Sequence, residues 1–128
     1  YYEFSFSGLK TAVLVYVQEK GEDFVKTNLN HILASFQKAV VDALVIKTVK
    51  ALRNYRIKTL LLAGGVAANR LLRDTLETES GKRGFKVYAP PFIYCTDNAA
   101  MIAGAGHERL MLGMRSPLTL SPEPRLPI

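Results

Sequence analysis

The run from Ile57 to Ala63, with Leu60-Leu61-Leu62 at its centre and Gly64-Gly65 behind it, leaves this chain few architectures. A short continuous apolar run closed by turn residues has the length and composition of a buried strand. A helix is predicted from about Ala68, with Leu71, Leu72, Thr75 and Leu76 on one side and Gly81 as its stop. Lys86 to Ala89 repeats the strand pattern, closed by Pro90-Pro91, and Thr96 can cap a last helix from Asp97 to about Leu112. Strands that alternate with helices predict parallel βαβ packing, hence an α/β class. Two short strands make a thin sheet, so more strands are expected from an upstream part of the natural chain or from association of chains.

Two helices are predicted ahead of the first strand. Leu9, Ala12, Val13, Tyr16 and Val17 keep a spacing of three and four from Ser7, a candidate cap, to Lys20. After Gly21-Glu22-Asp23, Thr27 or Asn28 can open a second, longer helix that carries Leu29, Ile32, Leu33, Phe36, Val40 and Leu44 to about Asn54. The expected order is helix-helix-strand-helix-strand-helix. In the last helix Ala99, Ala100, Ala103, Gly104 and Gly106 leave little bulk, which predicts close approach to another element. Residues 114–128 read as an extended tail, since four of the six prolines fall after residue 116.

Composition removes several classes. With 128 residues, one domain is the limit. A hydrophobic fraction of 48% against 22% charged residues excludes general disorder. No apolar run approaches the roughly 20 residues of a membrane span. Cys95, the single cysteine, excludes a disulfide-stapled scaffold and fits a reducing cytoplasm. The opening Tyr1-Tyr2-Glu3-Phe4 shows no initiator Met, leader or cleavage site, which predicts a piece of a larger protein. The net charge of +6 is compatible with a nucleic-acid partner and does not identify one.

Both strand-to-helix turns can meet a ligand, because in an open parallel sheet they border one crevice at the carboxyl ends of the strands. In the first turn, Gly64 and Gly65 lack the Cβ atoms that keep a ligand from the backbone, and Asn69 can both donate to and accept from a ribose or a base. A tight turn and nothing more is the competing reading. In the second turn, Asp97 is a hard oxygen ligand for a cation, or simply a capping residue. Cys95 there reads as a small buried hydrophobe. His107-Glu108 lacks the second histidine of a zinc-protease helix, since position 111 is Met, and His31 reads as a partly exposed helix residue. Lys47, Lys50, Arg53, Arg56, Lys58, Lys82, Arg83 and Lys86 read as a solvated face that can also attract phosphate.

Phe4-Ser5-Phe6-Ser7-Gly8-Leu9-Lys10-Thr11, Ala63-Gly64-Gly65-Val66-Ala67-Ala68-Asn69-Arg70 and Cys95-Thr96-Asp97-Asn98-Ala99-Ala100-Met101-Ile102-Ala103 occur in that order. Together they resemble the C-terminal part of the tRNA threonylcarbamoyladenosine transferase family (TsaD, formerly O-sialoglycoprotein endopeptidase or glycoprotease). Pro124-Arg125-Leu126-Pro127 is similar to that family's Pro-Arg-Trp-Pro ending. The resemblance implies an actin-like, Hsp70-like (ribonuclease H-like) ATPase fold of two lobes, of which residues 1–128 form a single C-terminal segment. It implies transfer of a threonylcarbamoyl group from threonylcarbamoyl-AMP to the N6 amine of the adenosine 3′ of the anticodon. By the same resemblance Asn69, Gly64 and Gly65 bind the adenine nucleotide and Asp97 ligates a divalent metal, iron or zinc. Ser7, Gly8 and Lys10 lie in a signature block without an assignable step.

The family takes its other metal ligands from a His-x-x-x-His pair in its N-terminal half, whereas this chain holds only His31 and His107, far apart. The expectation is therefore a segment that carries half of a site and is inactive alone. Implied partners are tRNA and accessory proteins, including an actin-like paralogue and, in bacteria, an ATPase; the implied location is cytoplasmic. The alternatives are a non-catalytic protein-binding or assembly module and, from the older family name, a metalloprotease.

Overall fold

A computed structural model describes residue 2 and residues 6–123; Phe4, Ser5 and the Pro124-Arg125-Leu126-Pro127 ending lie outside the described residues. The elements run α1 (Ser7–Lys20), α2 (Glu22–Asn54), β1 (Thr59–Leu61), α3 (Arg70–Arg83), β2 (Lys86–Tyr88) and α4 (Ala99–Met111). Single 3₁₀ turns, Gly65–Ala68 and Phe92–Tyr94, follow the two strands. β1 and β2 pair in parallel, with Leu60 opposite Val87.

The core is a seam between two helices laid on one face of that sheet. Val41 and Val45 of α2 meet Leu72 and Leu76 of α3, and Leu60, Leu62 and Val87 pack against them. Both strands alternate, with only the central residue turned inward. Leu61, which the apolar run marks as buried, is 72% exposed because no described element covers the second sheet face. α1 packs on the first half of α2 without burying a residue, and the two helices leave between them an open groove of about 450 Å³ lined by Leu9, Val13, Tyr16, Phe24 and Ile32. His31 on its rim is exposed. No described helix is long and apolar enough to cross a membrane.

Several boundaries differ from those expected. α1 starts at Ser7 itself, with Phe6 in the cap position and no side-chain cap. Gly21, at φ +78°, both ends α1 and opens α2, so α2 begins at Glu22 rather than near Thr27 or Asn28. The side chains of those two residues donate instead to the carbonyls of Asp23 and Phe24 four positions back, inside the helix. Gly81 stays helical; α3 ends at Gly84, whose left-handed φ of +72° closes the last turn. α4 starts at Ala99, capped by Asn98 and not by Thr96, and Asp97 precedes it. The close approach expected of the small residues of α4 is not found among the described residues: no side chain of this helix is buried, and none of those residues lies within 4 Å of a Cβ placed on Gly104 or Gly106. After α4 the described tail, residues 114–123, contains no helix or strand, and the Leu120 amide closes a turn on the Pro117 carbonyl.

Two outcomes follow from this packing. Leu76, 1% exposed at the centre of the seam, is the costliest core side chain to lose. Leu76→Ala is expected to lower stability by about 2–5 kcal/mol in urea unfolding, by lost burial and an incompletely refilled cavity. On α3, the Arg83 and Lys82 side chains at 2.6 and 2.9 Å hold the Glu79 carboxyl below the ordinary value of 4.5. A depressed folded value stabilises the chain above the unfolded one, and that contribution is lost as pH falls through the folded value. The Glu79 carboxyl resonance should therefore titrate below an ordinary glutamate, and Glu79→Gln should remove that part of the acid sensitivity.

Candidate functional site

The parallel pairing of β1 and β2 sets the two strand-to-helix turns side by side. In the first, Gly64 takes φ +82° and ψ 173°, a region closed to residues with a Cβ, and turns the chain sharply out of β1. Gly65 has no such conformation, and nothing lies within 4 Å of a Cβ placed on it. Its missing side chain therefore serves neither the backbone nor the packing, and the space before it stays open.

Asn69 is the cap of α3. Its Oδ1 accepts from the Leu72 amide at 3.0 Å, and Gln37 of α2 donates to the same oxygen at 3.4 Å. The Asn69 Nδ2 donates to no described residue, so the half-buried side chain commits its oxygen to the helix while its two N–H groups meet no acceptor among the described residues.

The second turn follows β2 through Pro90-Pro91 and the 3₁₀ turn Phe92–Tyr94. Cys95 is buried, 2% exposed. Asn98 caps α4 by accepting from the Met101 amide at 3.0 Å and steadies the approach by donating to the Thr96 carbonyl at 2.9 Å. Asp97 between them is exposed, and no group of three His, Cys, Asp or Glu side chains gathers among the described residues. A single carboxylate falls short of the ligand number of a zinc or iron site, so the described residues do not by themselves hold the metal the resemblance implies. Ser7, Gly8 and Lys10 are exposed on the first turn of α1.

One residue that carries no motif in the sequence joins the two turns. The Arg73 guanidinium donates to the Ala67 carbonyl in the first turn, and to the Pro90 carbonyl at 2.7 Å and Cys95 Sγ at 3.0 Å in the second. It also lies 4.3 Å from the centre of the Phe92 ring. Its only sequence signal is its place one turn after the cap of α3.

Comparison with known proteins bears on these same segments. The profile of a family described as TsaD, tRNA N6-adenosine threonylcarbamoyltransferase, matches residues 1–104. The chain belongs to this family. Relatives bearing the same description include a Thermosipho africanus protein, 51% identical over 127 residues, and a Geobacillus thermodenitrificans protein, 48% identical over 128 residues. Each alignment covers 99% of this chain, and 38% and 37% of the respective relative. A Clostridium botulinum relative is 47% identical over 124 residues, 97% of this chain and 36% of its own length. The chain thus spans little more than a third of the relatives it matches and corresponds to a C-terminal part of TsaD.

The cap gives a direct check. Asn69→Ala leaves the Leu72 amide without its acceptor and should cost about 1 kcal/mol in urea unfolding, while Asn69→Asp, which keeps the oxygen, should cost a few tenths at most.

Proposed function

We propose that this chain supplies the adenylate-binding turn of a tRNA N6-adenosine threonylcarbamoyltransferase, within an actin-like fold of two lobes. The observation that carries the reading is Asn69: its oxygen is committed to capping α3 while its amide N–H groups find no acceptor among the described residues, beside a glycine, Gly65, whose missing Cβ would meet none of them. Family membership supplies the reaction. The N6 amine of a tRNA adenosine attacks the carbamoyl carbonyl carbon, the bond from that carbon to the adenylate phosphate oxygen breaks, and AMP leaves.

The nucleophile belongs to the tRNA, so the protein needs no activated serine or cysteine. The chain's share is orientation. Asn69 fixes the adenosine part of the donor, the Gly64-Gly65 backbone lets it approach, and the crevice between the turns keeps the leaving AMP aligned with the incoming amine. When bound, a metal would supply Lewis-acid polarisation. Of its ligands Asp97 alone lies in this chain, whereas the nucleotide turn lies in it whole. Cytoplasmic tRNA and the accessory proteins of threonylcarbamoyl transfer are the partners proposed with it.

Replacement of the corresponding segment of the Geobacillus thermodenitrificans relative by this chain tests the reading, with threonylcarbamoyladenosine in tRNA quantified by nucleoside mass spectrometry. The hybrid should modify tRNA. Asn69→Asp and Gly65→Ala should each lower the rate at least about tenfold without a matching loss of stability, as expected when a hydrogen bond or an approach path is lost only in the bound state. A folded hybrid without activity, or full activity in both variants, would overturn the proposal.

A further inference from the structure

Backbone pairing between the strands ends where the Leu62 amide meets the Tyr88 carbonyl. Beyond that point no backbone hydrogen bond joins residues 63–69 to residues 89–98 among the described residues. Among the described residues, the hydrogen bonds that reach from one turn to the other pass through the Arg73 guanidinium, which holds Ala67 on one side and Pro90 and Cys95 on the other. No carboxylate pairs with it among the described residues; its acceptors are carbonyl dipoles and a thiol, with the Phe92 ring across its face. A planar fork with donors in fixed directions suits that arrangement, and a flexible ammonium does not. The far end of the contact is firm as well. The Arg73 amide donates to the Asn69 carbonyl at 3.2 Å, so the residue that grips the second turn is built into the same helical turn as the cap.

We propose that Arg73 is a positioning residue whose guanidinium locks the Asp97 turn to the Asn69 turn, so that both face one ligand. The role of the ligand rests on the adenylate reading of the first turn; the lock itself does not. Arg73 touches no reacting atom in this scheme. It sets the separation of Asn69, which holds the adenosine in that reading, from Asp97.

Cys95 makes the lock measurable, because it is the single cysteine and is buried against Arg73. In the full 128-residue chain, Arg73→Met should speed modification of Cys95 by a disulfide reagent at least about tenfold, as local opening of the second turn. Val45→Ala truncates the core without touching either turn and serves as the control for global destabilisation. An acceleration in Arg73→Met no larger than in a Val45→Ala variant of equal or greater stability loss would overturn the proposal. So would full restoration of the slow rate by Arg73→Lys, which keeps the charge but not the fork.

AMP provides the second arm. In the wild-type chain AMP should slow Cys95 modification, and in Arg73→Met it should still shift the Asn69 resonances but leave the Cys95 rate unchanged. AMP that binds the wild type and protects Cys95 equally in both proteins would sink the coupling. If AMP fails to bind the wild type, the adenylate reading falls, and the lock is decided by the AMP-free rates.

Discussion

Burial of Leu72 and Leu76 against Val41 and Val45 fixes the direction in which α3 points, and the candidate site hangs on that direction. α3 is amphipathic by necessity, with Asp74, Glu77 and Thr78 exposed on the side away from that stripe. The buried stripe therefore sets the rotation of the helix about its own axis. That rotation presents Arg73 toward β2 and the Asn69 amide toward the open side of the first turn. The ladder from Leu60 opposite Val87 to Leu61 opposite Tyr88 fixes the register of the second turn relative to the first. A slip of one residue would put Leu60 or Val87 on the bare face and separate Cys95 from Arg73.

Much of this is readable from residue pattern, and the failures share one cause. Helical periodicity locates the helices, and short apolar runs locate both strands, because those signals are local. The misplaced boundaries turn on which of several equivalent residues takes a special conformation. Gly81 is the expected stop, but Gly84, three residues on, is the glycine that adopts positive φ. Thr96 is the expected cap, but Asn98 has the extended backbone that a cap requires. Arg73 leaves no motif because two of its three hydrogen-bond partners are main-chain carbonyls, which every residue carries. Those partners lie 6 and 17 residues away, and the thiol lies 22 away. Pattern reading finds side chains that recur together, not a side chain aimed at backbone.

The other mismatches concern surfaces. Leu61 and Tyr88 stand exposed on the outer sheet face, the groove between α1 and α2 is apolar, and no residue of α4 is buried among the described residues. Composition alone predicts burial or close approach for each of them. None of the described residues covers these surfaces, in a chain that spans little more than a third of the relatives' length. The seam between α2 and α3 closes within the chain. The second sheet face does not.

The two turns consequently differ in how much of their function is local. At Asn69 the cap oxygen is bound, the amide meets no acceptor among the described residues, and the helix direction is set by a core inside the same chain. Asp97 is incomplete, since one exposed carboxylate gains cation affinity only when other ligands are held at a fixed distance from it. A rigid link between the turns then matters more than the chemistry of either. In the proposed function, a donor held by Asn69 would meet whatever is assembled at Asp97 only if the gap between them is constant. A misplacement of about 1 Å is enough to cost an oriented reaction two orders of magnitude. Carbonyl acceptors suit that task better than a salt bridge at the surface, whose two long side chains wander and whose attraction salt screens. A guanidinium clamped between backbone carbonyls and an aromatic ring has nowhere to wander, and it carries the geometry of one turn into the other.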